Sequence, residues 1–143
     1  MSKVKGFHSK EGVGCVFEDI YLVDGKRTPF GKYTGSLSTV SATDLGIFAS
    51  QAVIKSAGVK ADEIDQVIVS NIGPSSADAF FLPRHIGLYS GTRTDTPASL
   101  VQRICGSGIE VIGQAAEQIA LGKSDLILGC GTDTMSRFPL VSF

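Results

Sequence analysis

The sequence predicts an α/β fold, a mostly parallel sheet with helices packed on it, and three observations carry that expectation. Short aliphatic runs stand at residues 20–23, 67–69 and 125–129, each too brief for a helix. Between them lie stretches whose apolar residues return every three or four positions, the helical period. The resulting order of strand, helix, strand, short helix, strand, helix, strand is that of successive βα units. Such units pair their strands in parallel through right-handed crossovers.

Each element follows in turn. Residues 1–18 are polar and dotted with glycine, without helical or alternating period. They are read as a flexible extension ahead of one domain at 19–143. Ile20-Tyr21-Leu22-Val23, closed by Asp24-Gly25, suits a first buried strand and turn, and a long loop over 26–39 follows. Ser41 and Asp44 have the spacing of a capping box, and Leu45, Phe48, Ala49, Ala52 and Val53 form the apolar stripe of a helix that Gly58 ends. Val67-Ile68-Val69 is the next strand and 73–79 a loop. A helix runs from Pro83 to Tyr89 and stops at Gly91, and 97–104 is extended. From Gly108 a longer helix places Ile109, Ile112, Ala116 and Ile119 on one face before Gly122. Asp125-Leu126-Ile127-Leu128-Gly129 is the last strand.

Composition narrows the function. The 143 residues are 43% hydrophobic and 19% charged, with mean hydropathy +0.20, the balance of a globular domain. A chain of this size buries roughly 70% of its unfolded surface. Thirteen basic against fourteen acidic residues leave a net charge of −1, without the basic excess of a nucleic-acid binder. No run approaches the ~20 consecutive apolar residues of a membrane span, and residues 1–15 lack the apolar centre of a signal peptide. The expected location is the cytoplasm. Three cysteines, Cys15, Cys105 and Cys130, are odd in number and lack CxxC spacing, so neither a disulfide framework nor a zinc site is expected.

One stretch carries chemistry. Gln102-Arg103-Ile104-Cys105-Gly106-Ser107-Gly108 places a cysteine at a strand-to-helix junction, with glycines one and three residues later. Unpaired N–H groups and the positive end of the helix dipole favour a thiolate there. The glycines permit a tight turn and close approach of a substrate to the backbone. On spacing alone a reactive cysteine and a buried structural one stand as equal alternatives. Other candidates are weaker. Cys130 follows an apolar strand and reads as a small core residue, and Cys15 as an exposed thiol. His85 reads as a helix-surface or packed residue, and His8 lies in the extension. Asp62, Glu63 and Asp65 read as a solvated cluster rather than a metal site. Gly106 and Gly108 belong to no GxxxxGK[ST] phosphate loop.

Read together, Arg27-Thr28-Pro29-Phe30-Gly31, Arg103-Ile104-Cys105-Gly106-Ser107-Gly108 and Gly129-Cys130-Gly131-Thr132-Asp133-Thr134-Met135-Ser136 resemble three successive signatures of the thiolase family, from about Ile20 to Pro139. Two departures accompany the match. Gly129-Cys130-Gly131 and Asp133 stand where thiolases usually have a Gly-Gly pair and a Glu, and the loop from Gly73 to Phe81 after Asn71 is unusual. The resemblance implies the N-terminal half of a thiolase-like fold, with Cys105 accepting an acyl group from acyl-coenzyme A. It also implies that the Cys105 N–H helps to form an oxyanion hole and that Gly106, Ser107 and Gly108 bind substrate. Acyl-coenzyme A is then substrate, with no bound cofactor and no metal. Thiolases are longer: a coenzyme A loop domain follows, and a second half supplies a histidine base and a second cysteine. The expected partner is a chain supplying that half, or a second copy in a homo-oligomer. The alternative implied by the missing half is a non-catalytic, truncated thiolase-like interaction module.

Overall fold

The computed structural model describes residues 4–10, 12–73 and 75–140. In chain order these form the strands β1 (Val4–Ser9) and β2 (Gly12–Phe17), helix α1 (Ala42–Ala57), strand β3 (Gln66–Ser70) and helix α2 (Leu82–Tyr89). Strand β4 (Ala98–Val101), helix α3 (Ser107–Ala120) and strand β5 (Ile127–Gly131) complete the set.

The central sheet is parallel, in the order β4-β3-β5, with Val67 opposite both Ala98 and Leu128. β3 is buried on both faces, which is why its residues form an unbroken apolar run rather than an alternating one. Val67 and Val69 pack with Ala42 of α1, Leu82 and Ile86 of α2 and Leu128 of β5. Ile68 faces the other way, onto Val101 and Val111 of α3. Helices therefore cover both sides of the sheet, α1 and α2 on one and α3 on the other.

Ser41 caps α1, with the Asp44 carboxylate returning to its hydroxyl rather than to its backbone N–H. Ser41 Oγ accepts from the Asp44 N–H at 3.0 Å and donates to Asp44 Oδ2 at 2.7 Å. Gly58 ends the helix at φ 69°, a left-handed conformation that glycine adopts without a Cβ clash. Gly46 lets α1 approach α2: a Cβ there would lie 2.4 Å from Ile86 Cδ1, whose side chain is fully buried. Overpacking costs ~1–3 kcal/mol, and the better helix propensity of alanine returns up to ~1 kcal/mol. Gly46→Ala is therefore expected to lower stability by about 1 kcal/mol, read as a lower urea midpoint at unchanged slope. An unchanged midpoint would show that the contact gives way without cost.

The loop between β3 and α2 is held by Asp78. Its Oδ2 accepts from Thr43 Oγ at 2.7 Å and lies 2.9 Å from His85 Nδ1, and its Oδ1 accepts from Ser76 Oγ. Partial burial pushes this carboxyl upward, but the bonds from Ser76, His85 and Thr43 outweigh it and lower the pKa from 3.8 to about 2. A lowered folded-state pKa gives stability that is complete above the unfolded value and lost as pH falls through the folded one. Wild-type stability should therefore fall between pH 3.8 and about 2 in a way that Asp78→Asn abolishes. Thermal midpoints across that window check this, and parallel curves for the two proteins would contradict it.

Four sequence expectations change. Ile20-Tyr21-Leu22-Val23 forms no strand: the segment has no regular secondary structure, makes no backbone pairing among the described residues, and leaves Tyr21 78% and Leu22 81% exposed. A strand needs a neighbour, and this one stands across open space from β5. Within residues 1–18, β1 and β2 form an antiparallel hairpin, with Lys5 opposite Val16 and Phe7 opposite Gly14. Residues 1–3 and 11 of that segment lie outside the described ones. The hairpin satisfies its backbone by pairing and contributes nothing to the two core clusters, so its apolar residues carry no alternating pattern. The extended stretch at 97–104 is a strand only over Ala98–Val101, because the chain turns at Arg103. On α3, Val111 and Ala115 meet the sheet, while Ile112 and Ile109 are exposed.

Candidate active site

Parallel pairing sends the C-terminal ends of β3, β4 and β5 to the same edge of the sheet, where open α/β folds place their sites. The second and third signature segments are tied to one loop there, and the loop that follows the first reaches the third. Thr34 N–H donates to Ser136 Oγ at 2.9 Å, and Arg137 Nη1 donates to the Thr39 carbonyl at 2.9 Å, joining the loop after Arg27 to the segment after β5. Asp133 Oδ1 accepts from the Ile72 N–H at 2.9 Å, from Asn71 Nδ2 at 3.1 Å and from the Gly73 N–H at 3.3 Å. Asn71 Nδ2 also donates to the Thr132 carbonyl at 2.8 Å. Gln102 Nε2 then donates to the Ile72 carbonyl at 2.9 Å, so the chain leading to Cys105 is tied to the same loop.

Cys105 is exposed where β4 gives way to α3. The turn beneath it is built by Ser107, whose Oγ accepts from the Arg103 N–H at 2.6 Å and donates to the Ile104 carbonyl at 2.7 Å. The Gly106 N–H closes it onto the Arg103 carbonyl at 3.0 Å, and Arg103 Nη1 pairs with Glu110 Oε2 at 2.6 Å. Ile104 holds φ 49°, a costly conformation for a β-branched residue and one that marks a chain forced into a sharp bend. Gly108 is open, since a Cβ there would meet nothing within 4 Å. Of the residues expected to bind substrate, Gly106 and Gly108 are exposed, whereas Ser107 is 2% exposed with its hydroxyl already committed to the turn.

The remaining candidates are placed as follows. Cys130 packs against the core, and burial pushes its thiol up to about 11, so it stays protonated at neutral pH. Cys15 is exposed on β2. His85 is engaged with Asp78 and meets Tyr89 edge-on at 6.3 Å between ring centroids. His8 lies in β1. Asp65 accepts from the Asp125 and Leu126 N–H groups at 2.8 and 3.1 Å, which anchors the approach to β5 and lowers its pKa. No cluster of three metal-ligating side chains occurs among the described residues.

Sequence reasoning noted Asp133 as a departure and Gln102 as part of the cysteine stretch, and gave neither a task. Both act across long sequence separations, and only the position of Asp133 just past an apolar strand hinted at a role. A cavity of about 1340 Å³ lies between residues 19–33, α1, α3 and β5. Gly108 borders it but Cys105 does not, so it is not a pocket around the sulfur.

Comparison with known proteins agrees with this geometry. The family model described as "Thiolase, N-terminal domain" matches residues 20–142. The chain belongs to the thiolase family, of which it carries the N-terminal domain. It is 40% identical to the mitochondrial 3-ketoacyl-CoA thiolase of Homo sapiens over 125 residues, 87% of this chain and 32% of that protein. It is 38% identical to the beta-ketoadipyl-CoA thiolase of Acinetobacter baylyi over 122 residues, 85% of this chain and 30% of that protein. Among solved structures, the human mitochondrial 3-ketoacyl-CoA thiolase in complex with CoA superposes with TM-score 0.72 at 40% identity, over 73% of this chain and 27% of that one. The acetyl-CoA acetyltransferase from Syntrophomonas wolfei gives 0.80 at 33% identity, over 84% and 30%. The chain thus spans about a third of the length of its curated relatives. No described helix is long and apolar enough to cross a membrane.

Proposed function

We propose that this chain is the acyl-accepting part of a thiolase-type acyl-CoA C-acyltransferase, with Cys105 as the nucleophile. The observation that carries the reading is an exposed cysteine on the family's own motif, in a sharp turn at the start of a fourteen-residue helix. The thiolate attacks the thioester carbonyl of an acyl-CoA, the sulfur–carbon bond forms, and coenzyme A leaves as its thiolate. The Cys105 N–H helps to hold the oxyanion, and Gly106 and Gly108 let the thioester approach the backbone. A carbanion from a second acyl-CoA then attacks the acyl-enzyme, or the reverse sequence cleaves a 3-ketoacyl-CoA.

The base, the second cysteine and the coenzyme A pocket come from the rest of a thiolase, as a continuation of the polypeptide or as a partner chain. Each missing acid–base group is worth ~10²–10⁴-fold in rate. Residues 1–143 alone should therefore turn over poorly and yet acylate. Incubation with acetyl-CoA followed by peptide mass mapping is expected to place the acetyl group on Cys105 ahead of Cys15 and Cys130. Iodoacetamide at neutral pH should show the same order. Equal or slower reaction of Cys105 would favour the non-catalytic interaction module. We place the protein in the cytoplasm, and cell fractionation that finds it in an organelle overturns that part alone.

A further inference from the structure

We propose that Phe138 is a positioning residue for Cys105: its ring occupies the place of a side chain at Gly73, and so fixes the loop at 71–73 to which the chain leading to the cysteine is tied. This rests on the reading of Cys105 as the acyl acceptor, and it adds a residue that sets where the sulfur stands.

Space, and not backbone conformation, is what glycine supplies at position 73. Gly73 is buried and lies outside the left-handed region, so its backbone would accept an ordinary L residue. A Cβ there would nevertheless coincide with the tip of the Phe138 ring, meeting Cζ, Cε1 and Cε2 at once. The ring therefore stands where residue 73 would carry its own side chain. Glycine at 73 and phenylalanine at 138 are one size-matched pair.

The ring is held firmly on its own side. Thr34 N–H donates to Ser136 Oγ, Arg137 Nη1 donates to the Thr39 carbonyl, and the Phe138 N–H closes a single 3-10 turn onto the Met135 carbonyl at 3.4 Å. Pro139 favours an extended residue before it, and Phe138 has φ −60° and ψ 134°. The loop it touches is held differently. Ile72 belongs to neither core cluster, and Asn71, Ile72 and Gly73 all donate to the single atom Asp133 Oδ1. Three donors on one acceptor atom make a pivot: they fix a distance and leave rotation about that atom. The Phe138 ring, seated on Gly73, blocks that rotation. Any that occurred would carry the Ile72 carbonyl, and with it Gln102, three residues before Cys105.

A reciprocal exchange of volume tests this on the 143-residue chain. Iodoacetamide at neutral pH reads the rate at Cys105, with the exposed Cys15 of the same sample as reference and the core-packed Cys130 as a report of unfolding. Gly73→Leu, which collides with the ring, should lower the ratio of the Cys105 rate to the Cys15 rate roughly tenfold, and Phe138→Ala, which empties the notch, roughly threefold. The double variant Gly73→Leu/Phe138→Ala moves the volume from one side of the contact to the other and should return the ratio to within about a factor of two of wild type. Independent sites multiply their effects, so a double variant slower than either single one overturns the proposal. Single variants that lower the thermal midpoint and leave the ratio unchanged also overturn it, because the contact then serves the fold alone. Should Gly73→Leu fail to fold, Gly73→Ala takes its place, with roughly threefold slowing and the same relief by Phe138→Ala. Acetylation of wild-type Cys105 by acetyl-CoA decides the acyl-acceptor reading separately. Its absence beside a rescued alkylation ratio removes that reading and leaves the hold of Phe138 on the sulfur standing.

Discussion

Asp133→Ala is expected to destabilise the chain by about 3 kcal/mol and to loosen the loop at 71–73 to which the second and third signatures are tied. One carboxylate oxygen accepts from Asn71 Nδ2 and from the Ile72 and Gly73 N–H groups. Removing an acceptor leaves its donors to find water or remain unpaired, at ~1–3 kcal/mol for each buried group. Asn71 is buried and keeps its bond to the Thr132 carbonyl, so its share of the loss is partial. The Ile72 carbonyl receives Gln102, so movement of this loop reaches the chain that leads to Cys105. Urea denaturation measures the first effect, and the alkylation rate of Cys105 the second. Asp133→Glu, the residue usual in thiolases at this position, should restore most of the stability. A glutamate variant as weak as the alanine one would mean that the carboxylate position, rather than its charge, sets the clamp.

Ser107→Ala is the second large effect. Its hydroxyl is the only side-chain group bonded to both the Arg103 N–H and the Ile104 carbonyl among the described residues, and it is buried. Loss of two such bonds costs ~1–3 kcal/mol in total, and Ile104 at φ 49° has no reason to remain in that conformation without them. The expected result is a stability loss near 2 kcal/mol together with a roughly tenfold drop in Cys105 alkylation, as the sulfur moves off the start of α3. Ile104→Gly should act the other way on stability, gaining ~1 kcal/mol by removing the left-handed strain. It should leave alkylation within a factor of a few. If Ser107→Ala lowers stability but leaves the rate untouched, the hydroxyl supports the fold and not the position of the nucleophile.

The elements that could be read from sequence are those whose signals are local. Ser41, Asp44 and Gly58 bracket α1 through bonds and angles within one turn of each end. Val67-Ile68-Val69 is unbroken because both faces of β3 are covered. The motif at Cys105 was legible because a strand-to-helix turn needs small residues at fixed offsets. The failures are equally specific. Ile20-Tyr21-Leu22-Val23 has the composition of a strand, but pairing depends on a neighbour, and among the described residues none pairs with it. The β1–β2 hairpin lacks alternation because it buries no face in the core. The expected apolar face of α3 exists, yet Ile112, Ala116 and Ile119 of it line the cavity instead of the sheet.

By itself the sequence determined the α/β class and the positions of its three main helices, which follow from periodicity and caps, properties of neighbouring residues. Its resemblance to the thiolase family, rather than local pattern, singled out the cysteine on which the chemistry is proposed to turn. Tertiary structure alone decided that Asp133 clamps the loop at 71–73, and that the loop after Arg27 is bonded to the segment after β5. It also decided that the first aliphatic run stands apart from β5. Those outcomes depend on which groups lie within hydrogen-bonding distance across sixty or a hundred residues of chain, and no local pattern encodes them.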